Sequence, residues 1–244
     1  MGWAFKIPGL PHYVRNDVRV SLFFYERDII LNKIMATLKN IIAPSFCSSC
    51  KIFIETDFLC ATCLALITPI TTIKIPLTKK YQASLFAISD YQEPLRTLLL
   101  KKGHRNRLAS EQLGNLLWQH SDVRYADFDI IVPVPLHWTK YAWRWFNQSE
   151  EIAHIMSKKS GKPVVHLLTR KRITATQAGL TRAKRLLNLQ DAFVLSDNSQ
   201  FYKYKKILLI DDVMTTGTTL QSCFKQLIKL SPLNLYGSVI CRRL

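Results

Sequence analysis

Residues 207–210 are four apolar residues in a row, followed by Asp211 and Asp212 and then by a hydroxyl-rich turn with one glycine. A continuous apolar run of that length, ended by a turn, predicts a strand buried on both faces, as in a parallel sheet. Residues 220–230 carry apolar positions at helical spacing, so this segment reads strand, loop, helix. The same rhythm runs through the preceding sequence. Strands are expected at 84–91, 129–134, 164–168, 193–195 and 235–241. Helices are expected at 94–101, at 108–120, and at 139–160 with Gly161 as the stop. Pro69 and Pro76 mark 68–77 as a linker. The alternation predicts an α/β fold: a mainly parallel sheet flanked by helices.

The loop after the 207–210 strand is the first candidate site. Open α/β sheets bind ligands at the carboxyl ends of their strands. Backbone N–H groups at a helix N-terminus, beside threonine hydroxyls, form a cradle for phosphate. The two carboxylates just before it can hold sugar hydroxyls or Mg²⁺. A second candidate is the turn Pro133-Val134-Pro135-Leu136, where two prolines stiffen a strand end. Such a loop can fix backbone N–H groups against an anion, and it is equally suited to a purely structural turn.

The front of the chain carries different chemistry. Cys47 and Cys50 form one Cys-x2-Cys knuckle and Cys60 and Cys63 another, nine residues apart. Two such knuckles bring four thiolates to one ion, which predicts a tetrahedral structural zinc site. So small a module has little core of its own, and the metal would hold it folded. Cys223 and Cys241 fall in apolar surroundings and are expected in the core. The domains are accordingly read as 1–34, an extension of open status; 35–77, the four-cysteine module and linker; and 78–244, the α/β domain. Met35 opens the apolar segment that leads into the first knuckle, so a start there is an alternative.

Charge narrows the partners. With 34 Lys and Arg against 17 Asp and Glu, the formal net charge is +17, which suits phosphorylated or polyanionic ligands. From 152 to 190 there are nine Lys or Arg and no acid. Arg170, Lys171 and Arg172 form one cluster, Arg182, Lys184 and Arg185 another, with a small-residue loop between them. A basic loop beside a phosphate site can close over a diphosphate; single-stranded DNA suits the same charge, with Trp138, Trp143, Trp145 and Phe146 as stacking faces. A hydrophobic content of 48% argues against extensive disorder. The longest uncharged stretch, 58–73, is too short and too interrupted for a membrane span. Six cysteines without an apparent signal peptide point to a reducing, cytoplasmic setting.

The segment 207–220 closely resembles the ribose-phosphate signature of type I phosphoribosyltransferases. The resemblance implies that Asp211 and Asp212 contact the ribose hydroxyls of phosphoribosyl pyrophosphate (PRPP), with Mg²⁺ on its pyrophosphate. It implies that Val213, Met214, Thr215, Thr216, Gly217, Thr218 and Thr219 wrap its 5′-phosphate, and that the 133–136 turn holds the place of the pyrophosphate loop. Any catalytic contribution would come from Asp211 and Asp212. In the 6-oxopurine transferases a further Asp precedes the Thr-Gly as a proposed general base; here that position is Thr215.

The succession of cysteine knuckles, Pro-Val-Pro-Leu, Arg144-Trp145-Phe146-Asn147-Gln148, then Arg170, Arg172, Thr174, Gln177, Leu180, Arg182 and Asn188 and finally the PRPP motif resembles the ComF family. The resemblance covers residues 44–244, and Trp145 stands where that family usually has glycine. It implies a competence-associated protein with a PRPP site and a zinc module, acting in DNA uptake or processing, with a competence helicase as a partner class. A PRPP-sensing regulator without turnover ranks second. A phosphoribosyltransferase acting on a nitrogenous base ranks third.

Overall fold

The structure is a computed structural model, and it describes residues 45–54, 58–101, 107–136, 147–170 and 192–243. The described residues fall in two compact units, one holding 45–47, 51–54 and 58, the other 48–50 and the described residues from 59 onward. In the first, β1 (Ser45–Phe46) and β2 (Phe53–Ile54) pair antiparallel. The Cys47 N–H donates to the Ile52 carbonyl at 2.8 Å, which closes the turn between them.

The second unit begins with a short helix, α1 (Ala61–Ala65), and is built on a six-stranded sheet. Its strands are β3 (Ile73–Pro76), β4 (Gln82–Asp90), β5 (Ile130–Pro133), β8 (Lys206–Ile210), β9 (Val213–Met214) and β10 (Asn234–Arg242). The spatial order is β3-β4-β10-β8-β5, with β9 also on β10. All pairings are parallel except β3 with β4. Two strands outside it, β6 (Leu168–Arg170) and β7 (Phe193–Leu195), pair antiparallel with each other.

Helices cover both faces. On one lies α5 (Thr218–Leu227), which buries Leu220, Cys223, Phe224 and Leu227 among alternate residues of β4, β5, β8 and β10. On the other, α3 (Arg107–His120) and α4 (Gln148–Ser160) pack against each other and against the strands. A short helix, α2 (Leu95–Lys101), precedes α3. The strands are apolar on both faces because both are covered: Ile207, Leu208, Leu209 and Ile210 are all fully buried. This is the mainly parallel α/β sheet expected from the alternation.

Three local expectations change. Residues 73–76, read as linker, form β3, an antiparallel edge strand with alternating exposure. Pro76 is tolerated there because it ends an edge strand, where a missing N–H leaves no ladder bond unmade. The strand expected at 164–168 is a single bridge from Val164 to Ile131, and only Leu168–Arg170 becomes a strand, away from the main sheet. Pro163 lies at this edge; its carbonyl accepts from Ile131 N–H, but it has no N–H to extend the ladder. Of the helix expected at 139–160, Gln148–Ser160 is described, and Gly161 ends it in the left-handed region at φ 71°.

The α3–α4 contact is close because Gly114 has no side chain. A Cβ placed there would lie 2.9 Å from Ile155 Cβ. Gly114→Val should therefore lower stability by about 1–3 kcal/mol through overpacking. A urea melt of the full chain measures this, and an unchanged midpoint would mean that the two helices part without cost.

Candidate functional site

The polypeptide leaves β8 at Ile210 and re-enters the sheet at Val213, and Asp211 and Asp212 fill the gap. The pairing partners are Ile210 with Ser238 and Val213 with Cys241, so β8 and β9 keep one register along β10. The backbone stays tied across the gap: Asp211 N–H donates to Ser238 O at 3.0 Å, and Ile240 N–H donates to Asp212 O at 3.1 Å. Both carboxylates thus leave a continuous strand line at the carboxyl end of the sheet.

After Met214 the chain turns through Gly217, at φ 72°, into α5. The left-handed value is one that a side chain would strain. Gly217 also supplies no side-chain cap to the helix. Thr218 is buried at the first turn, and its hydroxyl shares a hydrogen bond with that of Thr216. The start of α5 lies beside a cavity of about 300 Å³, which Thr215, Gly217, Thr218 and Thr219 help to line; Thr216, also expected at the site, is not among the lining residues and meets it only through its bond to Thr218.

The opposite wall comes from β5 and α4. Val134, Pro135 and Leu136 line the cavity, while Pro133 lies within β5, paired with Ile210. The N-cap of α4 is Asn147, whose side chain does not cap the helix. Its amide instead donates to the Val134 carbonyl at 3.0 Å, fastening the proline turn to α4. Gln148 and Ser149, both buried, follow on the first turn and line the cavity. Ser149 Oγ donates to Asp211 Oδ1 at 3.1 Å, and Asp212 N–H donates to the same oxygen at 2.8 Å. One oxygen of Asp211 is therefore held by the protein from two sides.

Of the residues expected from the sequence, Asp211, Asp212, Val213, Met214, Thr215, Gly217, Thr218 and Thr219 line this cavity together with Val134, Pro135 and Leu136. Arg170, read as part of a loose basic loop, stands at the end of β6 and lines it too. Its guanidinium carbon lies 5.3 Å from the Phe193 ring centroid. Burial lowers the pKa of Arg170, against the opposing pull of Cys223 and Asp211; guanidinium remains a cation. Lys171, Arg172, Arg182, Lys184 and Arg185, with Trp138, Trp143, Trp145 and Phe146, lie outside the described residues. The sequence reading missed Ser149 as a site residue and took Asn147 and Gln148 only as markers. The signal available was a polar triplet at a helix start, ten residues beyond the proline turn.

Cys223 and Cys241 are buried, as expected of core residues. Burial raises the Cys223 thiol well above its ordinary value, and the Asp211 charge adds to this, so it stays neutral.

The sulfur atoms of Cys47, Cys50, Cys60 and Cys63 all lie within 4.8 Å of one another. Four thiolates at about 2.3 Å from one tetrahedral ion are roughly 3.8 Å apart. The Cys50 and Cys60 sulfurs are 3.6 Å apart, and Cys63 N–H approaches Cys60 Sγ at 3.4 Å. This donor set fits a tetrahedral metal such as zinc, and the four cysteines would hold it.

The chain is 35% identical over 152 residues to Competence protein F of Haemophilus influenzae, covering 59% of this chain and 66% of that protein. It is 31% identical over 212 residues to the DNA utilization protein YhgH of Escherichia coli K12, covering 81% of this chain and 90% of that one. The chain belongs to the ComF family. No family model matches it. Among solved structures, an allosteric regulatory enzyme of purine biosynthesis aligns with 55% of this chain at 19% identity and a TM-score of 0.39, and the chain spans a quarter of its length. The glutamine PRPP amidotransferase of B. subtilis aligns similarly, at 18% identity and 0.39. Among the described residues, no helix is long and apolar enough to cross a membrane.

Metal analysis of the native full-length protein should return zinc or iron bound in a chelator-sensitive form, and Cys60→Ser should lose most of it. Metal-free protein with an unchanged fold would remove the assignment.

Proposed function

We propose that this ComF-family protein binds PRPP, or a ribose 5-phosphate of the same chemistry, in the 300 Å³ cavity as part of DNA uptake or processing. The observation that carries this reading is the pairing of two carboxylates at a strand's end with a glycine-opened helix start. Ribose hydroxyls suit Asp211 and Asp212, because paired acids accept from two vicinal O–H groups. A 5′-phosphate suits the N–H groups and hydroxyls of 215–219. The proline turn and the start of α4 suit the pyrophosphate, and Arg170 adds a fixed cation. Mg²⁺ would be held chiefly by the pyrophosphate itself and would neutralise it there.

Binding is favoured over turnover by one position. Thr215, exposed at the loop, supplies no carboxylate where a general base would serve a purine acceptor. Sensing or handling of PRPP therefore ranks above classical salvage. The DNA role is supported by the names of the relatives, competence and DNA utilization. A competence helicase is the partner class that follows from the family. Zinc is the metal this reading assigns to the cysteines, holding residues 46–66 folded, and a reducing cytoplasm keeps such thiolates available.

Calorimetry with PRPP and Mg²⁺ should give saturable binding. Asp211→Asn with Asp212→Asn should weaken it at least tenfold and leave the circular dichroism spectrum unchanged. Full affinity in that variant would remove the ribose roles. A pyrophosphate-release assay across nucleobases should show no base-dependent turnover; release with one base would place the transferase reading first.

A further inference from the structure

The amino ends of the strands, opposite the cavity, carry an unusual surface. Residues 201–206 read Phe-Tyr-Lys-Tyr-Lys-Lys, with aromatic and basic residues interleaved. Phe201 is 81% exposed and Tyr204 64% exposed. Tyr204 has φ 58°, a left-handed value uncommon for a tyrosine, and its N–H donates to Leu230 O at 3.1 Å. The backbone is thus pinned while the ring stands in solvent. Lys203 and Lys205, on either side of Tyr204, are exposed.

A third exposed ring lies on the neighbouring segment at the same end of the sheet. Lys206 Nζ donates to Asp127 Oδ2 at 2.5 Å, and Asp129 N–H donates to Lys206 O at 2.9 Å. These bonds bring residues 124–129 beside the 201–206 run. Tyr125 is 73% exposed, and the Arg124 guanidinium carbon lies 4.7 Å from its ring centroid. The acids here are Asp122, Asp127, Asp129 and Asp197; Asp127 is paired with Lys206, and the Asp129 carboxylate accepts from Lys206 N–H at 2.8 Å. A scattered exposed ring means little. Three exposed rings with basic residues beside them, on one end of one unit, offer stacking faces and phosphate partners together.

We infer that this end of the sheet binds single-stranded DNA, with Phe201, Tyr204 and Tyr125 stacking on bases and Lys203, Lys205 and Arg124 meeting phosphates. The inference rests on the DNA role proposed above, and it assigns that role to a surface away from the phosphoribosyl cavity. The length of β8, five residues, separates the two, roughly 15 Å at about 3.3 Å per residue. DNA and a sugar phosphate can therefore be bound together. Unpaired strands are required because a duplex hides the base faces the rings would meet.

The test uses the full chain and a fluorescent 20-nucleotide oligo(dT), read by anisotropy across a salt series, with calorimetric PRPP binding in parallel. Phe201→Ala with Tyr204→Ala should weaken oligo(dT) binding tenfold or more and leave PRPP binding unchanged. Lys203→Glu with Lys205→Glu should weaken it and flatten its salt dependence. Asp211→Asn should leave it intact. Wild-type affinity in the ring variant, equal or tighter binding of a duplex of the same length, or no binding of oligo(dT) by the native chain would each overturn the assignment. None of those results touches the PRPP reading, which the parallel calorimetry decides by itself.

Discussion

The rest of this molecule depends on β10. It is the one strand paired with β4 on one side and with both β8 and β9 on the other. Because β8 and β9 share one register on it, the chain can leave the ladder for two residues and return without slipping. A one-residue slip would turn every later side chain to the other face of the sheet. The constraint is therefore what fixes Asp211 and Asp212 against α4 and the start of α5. It operates through backbone hydrogen bonds, so it holds whatever the two acids themselves are bound to.

Much of this was legible in the sequence, and the reasons differ by element. Lys206–Ile210 and its turn were clear because a strand covered on both faces must be apolar throughout, and its ending is abrupt. The cysteine cluster was clear because thiolate ligation fixes spacing tightly. Ile73–Pro76 was hidden, since prolines punctuate local sequence and an edge strand's partner is remote in the chain. Ser149 was hidden for a related reason. Its bond to Asp211 spans 62 residues and arises only when α4 docks on β5 and β8. Arg170 was read as part of a loop because its strand pairs with Phe193–Leu195, across a gap that no short-range pattern encodes.

The two helices on the far face bind these parts into one body. Gly114 lets α3 meet α4 closely, and Arg107 reaches the buried Glu151 at 2.8 Å from the other end of the same contact. Because α4 presents Asn147, Gln148 and Ser149 to the cavity, the packing of its sides governs where those groups stand. The rings at the amino end of the sheet sit on the turns that lead into β5 and β8, so both ends inherit one scaffold. On the two assignments proposed above, a cationic end and an acidic-and-amide end would divide the surface between two kinds of anion: one recognised by its bases, one by its sugar.

Neither helix that opens on the cavity is capped by its own first residue. Gly217 has no side chain to offer, and Asn147 uses its amide on the Val134 carbonyl. Helix starts ordinarily close this gap with a serine, threonine or aspartate. An anion resting in the cavity would serve both helices as the missing cap, completing two elements of secondary structure at once. Ligand would then be a component of local folding: its arrival would tighten α4 and α5 at their first turns, and its loss would let both fray toward the same opening.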